Sequence, residues 1–340
     1  MARVSVQHVR VVLAALVMGW SGIYGLATMG TVRDARANSV VAPLTEVTGL
    51  AHVPSTSPGF ACASFAAMGT AKAGIVRSVS VHLDGYMVTY SATMAHLDGG
   101  LFAYPGPLEV SLGARRWVLP HPVDPKDEYF ELIGLCAVQF APGSHPDVLA
   151  EGFWGGAHCC VGPTLYGYAG TVGSYRVVED LTKPGVGEGL HWDPNGGFEP
   201  EKIGGTVVLA SSDGAFPYAF GCYACTPAPM RLFTVVGARL LDVTDRYPDA
   251  VRSEAKALWD GAAQQMRSPD GAGSVEGPLA AWAADECELN QGAQMWRALE
   301  QLQAQGRLTA AEKQSFGNKG PFPPQLKAFL LKNGYCRGQL

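Results

Sequence analysis

Val148-Leu149-Ala150, running through Gly155-Gly156-Ala157-His158-Cys159-Cys160 to Pro163, Leu165-Tyr166 and Arg176-Val177-Val178-Glu179, decides how this chain is read. The pattern returns as Val208-Leu209-Ala210, Gly221-Cys222-Tyr223-Ala224-Cys225, Pro229, Leu232-Phe233 and Arg239-Leu240-Leu241-Asp242. Each copy opens on the same apolar triplet, passes a small cysteine-bearing turn and closes on an Arg-apolar-apolar-acid step. A period near sixty residues with strand-like content predicts stacked or radially arranged sheets, each unit burying a face on the next. Gly, Tyr and Val dominate this region, and turn residues recur at short intervals. That is the pattern of an all-β sandwich or propeller.

Outward from the repeat, alternation begins near Ile75. Val79, Val81 and Leu83 interleave with Ser78, Ser80 and His82, and Tyr86-Met87-Val88-Thr89-Tyr90 reads as a second strand. Leu108–Leu112 and Arg116–Leu119 predict a hairpin across Gly113-Ala114. Tyr129 to Phe140 predicts a buried strand carrying Cys136. At Pro248 the period changes to that of a helix. Val251, Ala255, Leu258, Trp259, Ala262 and Met266 share one face. Further helices are expected from Pro278, around Trp296 up to Gly306, after the capping box Thr309-Ala310-Ala311-Glu312, and from Pro324 to Asn333-Gly334. Trp259, Trp282 and Trp296 sit in apolar helical stripes and read as core. The expected fold is mainly β, a degenerate propeller-like or sandwich repeat over residues 75–245. An α-helical C-terminal segment follows over residues 246–340.

Residues 1–37 read as an export signal. Arg3 and Arg10 supply the basic start, Val11 to Met29 the apolar stretch, and Ala35-Arg36-Ala37 the small-x-small cleavage site. The length of the apolar stretch makes an uncleaved N-terminal anchor the rival. Residues 38–74 mix Pro, Ser, Thr, Ala and Gly without a sustained period and read as a linker. Cleavage would leave 25 − 4 = 21 basic against 30 − 1 = 29 acidic residues, a net charge of −8. With no basic patch, nucleic acid and anionic lipid surfaces are poor partners. No later stretch is apolar enough to cross a bilayer.

Pro146-Asp147-Val148-Leu149-Ala150 with the Gly155–Cys160 turn, Ser212-Asp213-Gly214-Ala215-Phe216-Pro217-Tyr218-Ala219-Phe220, and Leu241-Asp242-Val243-Thr244 resemble exported bacterial proteins with FG-GAP or VCBS-type repeats. The resemblance implies propeller blades or fragments of them, often with a calcium loop of the form D-x-[DN]-G-D-G-x-P-[DE]. It is nearly silent on function, since such proteins adhere, bind ligands or serve as scaffolds. Asp193, Asn195, Gly196, Pro200 and Glu201 match that loop, with Gly197 in place of its third acid and Phe198 in place of its turn glycine. Calcium needs six to eight oxygens. The expectation is therefore a turn without its ion, with calcium at Asp193, Asn195 and Glu201 as the weaker alternative.

All eight cysteines, Cys62, Cys136, Cys159, Cys160, Cys222, Cys225, Cys287 and Cys336, follow the predicted signal. An even count in an exported chain favours disulfides. A zinc site drawing on Cys222, Cys225, Cys159, Cys160 or His158, and a Cys222/Cys225 redox couple, are the competing readings. Within the disulfide reading, Cys159–Cys160 with Cys222–Cys225 competes with cross-pairing between the two turns. Elimination leaves Cys62 to pair with Cys136 and Cys287 with Cys336. No nucleophile elbow, zinc-protease motif, phosphate loop or dinucleotide fingerprint is present. His96/Asp98 and His191/Asp193 read as polar surface pairs, and His158 as a turn hydrogen-bonder. The functional expectation is a non-enzymatic binding or scaffold protein, secreted or of the cell envelope, with an unknown extracellular partner. A secreted hydrolase with an unrecognised site and a purely structural envelope protein are the alternatives.

Overall fold

The computed structural model describes residues 55–64, 76–97, 100–120, 131–153, 161–180, 197–223, 226–236, 239–267, 275–308 and 321–339. The predicted signal lies outside them, as do His158, Cys159, Cys160, Cys225, Asp98, the His191/Asp193 pair, Asn195 and the predicted capping-box helix. Fourteen described strands form three antiparallel sheets: the outer sheet β3-β4-β5-β6, the central sheet β1-β2-β7-β8-β9-β10, and the third sheet β11-β12-β13-β14. In order, the strands are β1 Ser55–Ser57, β2 Phe60–Ser64, β3 Val76–Leu83, β4 Tyr86–Leu97 and β5 Gly100–Leu112. Then come β6 Arg115–Leu119, β7 Glu131–Val138, β8 Asp147–Phe153, β9 Val161–Ala169 and β10 Ser174–Asp180. The third sheet holds β11 Glu199–Ile203, β12 Thr206–Ser212, β13 Met230–Val236 and β14 Arg239–Asp242. Four helices follow: α1 Pro248–Arg267, α2 Glu276–Glu288, α3 Gly292–Ala304 and α4 Phe322–Lys332. The chain is therefore mainly β with a helical C-terminal segment.

The two-residue period of a strand explains the layering. On the central sheet Ala61, Ala63, Leu135, Ala137, Val148, Ala150 and Tyr166 pack with the outer sheet's Val79, Val81, Val88, Tyr90, Leu108 and Val110. The alternate residues, Phe60, Cys136, Val138, Leu149 and Leu165, pack with Phe198, Val207, Leu209 and Phe233 of the third-sheet region. The reverse face of the third sheet carries Val208 and Leu232 toward Tyr247 and Ala250 at the start of α1. Both Val-Leu-Ala triplets thus lie on strands covered on two faces, and this is why each reads as an unbroken apolar run. The outer sheet has one covered face. Its other face is polar, with Ser80 Oγ 2.8 Å from Thr89 Oγ1 and Arg116 paired with Glu109. That half-exposed sheet gives the clean alternation first visible at Ile75.

The two Val-Leu-Ala strands pair in a similar register, with a local difference. Leu149 lies opposite Leu165, and Leu209 opposite Phe233. The counterpart of Phe233 is therefore Leu165, one residue from the alignment of Leu165-Tyr166 with Leu232-Phe233. The closing acids Glu179 and Asp242 face Leu165 and Phe233. A bulge between Val177 and Glu179 absorbs one residue in the first copy. The outer sheet is a third four-stranded meander without the Val-Leu-Ala signature.

The expectation of a linker over residues 38–74 is corrected at residues 55–64, the part of it that the structure describes. Ser55–Ser57 and Phe60–Ser64 pair with each other, and Phe60–Ser64 pairs with β7. Gly59 turns this hairpin at φ +102°, and a Cβ there would lie 2.5 Å from Val207 Cγ2. Two five-residue or shorter strands among small residues carry too little periodicity to stand out in the sequence.

Cys62 lies opposite Cys136 and the two are disulfide-bonded, with Cα atoms 4.1 Å apart. The bond closes a loop containing the whole outer sheet. Cys287 on α2 bonds Cys336 after α4, with Cα atoms 4.8 Å apart. Cys222 is disulfide-bonded as well.

Candidate functional site

The connection from β12 to β13 docks on the helical segment and forms a groove lined by Ala215, Pro217, Tyr218, Phe220, Gln325 and Phe329. Phe216 and Phe220 anchor this loop. Phe216 is fully buried edge-on against Phe329 and Tyr335, with centroids at 5.0 and 5.9 Å. Phe220 stands edge-on to Phe322 and Phe329 at 5.4 and 5.1 Å. Between these anchors Tyr218 is 46% exposed, with its ring 5.5 Å from that of Tyr223. Its backbone is left-handed at φ +64°. That region costs a bulky residue on the order of 1 kcal/mol and persists only where the surroundings enforce it.

Asp213 braces the start of this loop. It is fully buried at the end of β12, and its N–H donates to Pro229 O at 3.0 Å, closing the mouth of the loop. Its Oδ1 accepts from Ala215 N–H at 2.8 Å, and its Oδ2 accepts from the Tyr335 hydroxyl at 2.6 Å. Tyr335 is placed by the end of α4. Gly334 adopts φ +88°, Tyr335 N–H donates to Leu330 O at 2.9 Å and Gly334 N–H to Leu331 O at 3.3 Å. This is the glycine-terminated helix stop expected from Asn333-Gly334.

Below the groove Arg231 of β13 gathers the acids. Its Nη1 donates to Glu288 Oε1 at 2.6 Å, its Nη2 lies 3.4 Å from Asp242 Oδ2, and its guanidinium carbon sits 5.1 Å from the Tyr335 ring centre. Burial works against the Arg231 charge, but Tyr335, Asp242, Glu288 and Asp213 together raise its pKa. Burial and the neighbouring carboxylates Glu254, Glu288 and Glu286 push Asp285 well above the usual carboxylate range, with Arg231 opposing. Among the described residues, Arg231 Nε and Asp285 Oδ2 have no hydrogen-bond partner. Burial also drives the Tyr335 hydroxyl upward.

A second cluster lies where the ends of the outer and central sheets meet. His145 stacks on Tyr168 at 3.5 Å and 13°, its Nδ1 is 3.0 Å from Tyr86 Oη, and Trp117 stands edge-on to it. Trp117 Nε1–H donates to Gly173 O at 3.0 Å and Tyr175 Oη–H to Pro146 O at 3.1 Å. Burial first, then Arg115, lowers the His145 pKa. Burial raises Asp147 to about 7 and Glu151 to about 7, against hydrogen bonds from Tyr168 N–H and Phe198 N–H respectively. The rings face one another across the layers, so this cluster ties sheets together.

Of the residues singled out in the sequence, His96 sits at the end of β4 opposite Leu101. Trp282 is buried, with Trp259 at 4.7 Å from it, and Trp296 carries Lys327 over its ring at 5.4 Å. Glu201 lies on strand β11 and faces Val208 across the ladder, while Asp193 and Asn195 of the expected loop lie outside the described residues. Burial, then Glu199 and Glu254, raise its pKa. Among the described residues no three His, Cys, Asp or Glu side chains are arranged to hold a metal ion. No described helix is long and apolar enough to cross a membrane. Asp213 and Tyr218 lie in the stretch that carried the repeat resemblance. Arg231 and Tyr335 were missed, since a lone Arg in an apolar strand and a Tyr after a glycine stop carry no spacing signal.

Residues 251–334, nearly the helical segment, match the family model described as "sll0997 C-terminal domain". The chain is 26% identical over 214 residues to "Uncharacterized protein y4bJ" of Sinorhizobium fredii (strain NBRC 101917 / NGR234). That match covers 58% of this chain and 31% of the relative, so the chain spans about a third of the length of the curated relative it matches. No solved structure matches the chain.

Proposed function

We propose that this chain is a binding or scaffold protein acting outside the cytosol, in the cell envelope or extracellular space, and that its ligand docks in the groove between the β12–β13 connection and α4. The observation that carries the reading is Tyr218. A half-exposed aromatic side chain held in a strained backbone, over a buried Asp213–Tyr335 support, is the usual mark of a site kept for contact at a cost in stability. Paired cysteines in both the β part and the helical segment support an oxidising compartment. The repeat resemblance, with its adhesive and scaffolding relatives, belongs to the same proposal.

Tyr218→Gly tests it. Glycine accepts the left-handed backbone without strain. The strain relieved and the added freedom of glycine in the unfolded chain, each about 1 kcal/mol, should nearly cancel in urea unfolding, while co-sedimentation with the envelope fraction of the producing cells is lost. A variant that binds as the parent does would overturn the groove as the site.

A further inference from the structure

Among the described residues, several carboxylates at the junction between the third sheet and the helices gather around Arg231 and Asp285. Asp285 on α2 is 1% exposed with its Oδ2 unpartnered among the described residues. The groups around it are Glu254 on α1, Glu286 and Glu288 on α2, and Arg231 on β13. Arg231 is already engaged by Glu288 and Asp242, and Tyr335 and Asp213 adjoin it. Glu254 in turn faces Glu201 of β11, and Glu286 accepts from Trp282 Nε1–H at 2.9 Å. Arg231 is shared among these acids and the charge of Arg252 on α1 acts on Glu286, while Asp285 is left as a buried carboxylate without a hydrogen bond to Oδ2, which is costly when charged. The described residues offer no metal-holding arrangement that would supply the missing charge. A proton can.

We propose that Asp285 is the centre of a proton-dependent latch holding α1 and α2 on the third sheet, closed while its carboxyl is protonated and loosened when the proton leaves. This goes beyond the groove reading and does not depend on any ligand there. The raised pKa of Asp285 fits it. The folded protein keeps this proton over a range in which the unfolded chain has already lost it. Stability is thus greatest at low pH and falls as pH rises from the ordinary carboxylate range toward the raised value. One such proton contributes up to about tenfold per pH unit.

The test is amide hydrogen exchange by mass spectrometry on the full, unreduced chain between pH 5 and pH 8, with intrinsic rates divided out and a chelator present. In the parent, peptides of α2 and β13 should lose protection as pH rises, by up to about tenfold per unit relative to β4 of the outer sheet. In Asp285→Asn, which is uncharged at every pH, that dependence should largely disappear. Should this variant fail to fold, Glu254→Gln serves, because removing a carboxylate that raises the Asp285 pKa should make the loss of protection smaller and complete at lower pH. A flat profile in the parent overturns the latch, as does an unchanged dependence in the folded variants. Restoration of protection at pH 8 by calcium alone would also overturn it, since a cation would then fill the role given to the proton.

Discussion

The two Val-Leu-Ala meanders share a register and differ in what their outer neighbours demand of them. In the first, Leu149 and Leu165 stand opposite one another in a sheet with another sheet on each face. In the second, Leu209 and Phe233 take the same places, but the far face meets helices. Two residues along, Glu151 in the first copy corresponds to Ser211 in the second, and Pro163 to Arg231. The first copy thus spends its polar position on Glu151, which accepts Phe198 N–H at 2.7 Å and fastens the next sheet. The second carries Ser211 at that place, donating to Gly197 O at 2.8 Å, and Arg231 opposite it gathers the helical segment. One strand motif serves both because its apolar core only requires cover; the polar position decides what supplies that cover.

Arg231→Ala should give the largest effect, about 3–5 kcal/mol, because it strands buried carboxylates without their counter-charge. Urea unfolding would measure it, and a loss near zero would break the distinction between the copies. Replacing Cys62 and Cys136 together by Ala should cost about 4 kcal/mol, from the chain entropy of a loop of some 75 residues. Leu149→Ala and Leu209→Ala should each cost about 3 kcal/mol, both residues being fully buried. A large inequality would mean that one copy is not covered on two faces.

The smallest effect is a pH slope. Burial raises the Glu151 pKa to about 7 in the fold, against 4.5 for an exposed glutamate. Its contribution is fully present below 4.5 and is lost as pH rises from there to about 7. Glu151→Gln should remove that part of the slope in melts recorded across this window.

What could be read from the sequence follows the same division. The outer sheet announced itself at Val79, Val81 and Leu83 because one of its faces is wet, and α1 did so through Val251, Ala255 and Leu258. The interior strands showed only as apolar runs, legible through their repetition. β1 and β2 were hidden because Ser55–Ser64 earns its strand pairing from β7 and from Val207 beneath Gly59, long-range contacts that leave no local period. The groove was hardest to see. Its loop is braced at the start by Asp213, which is bonded to Tyr335 more than a hundred residues away, and no spacing rule connects them.

The layered arrangement rests on β2 lying beside β7 in one register, with the outer sheet inserted between them in the chain. Peptide mapping of the unreduced protein tests this most directly. The account predicts one cross-linked peptide pair holding Cys62 with Cys136 and another holding Cys287 with Cys336. A bridge from Cys62 or Cys136 to Cys159, Cys160, Cys222 or Cys225, or a free thiol at either of the first two positions, would contradict it.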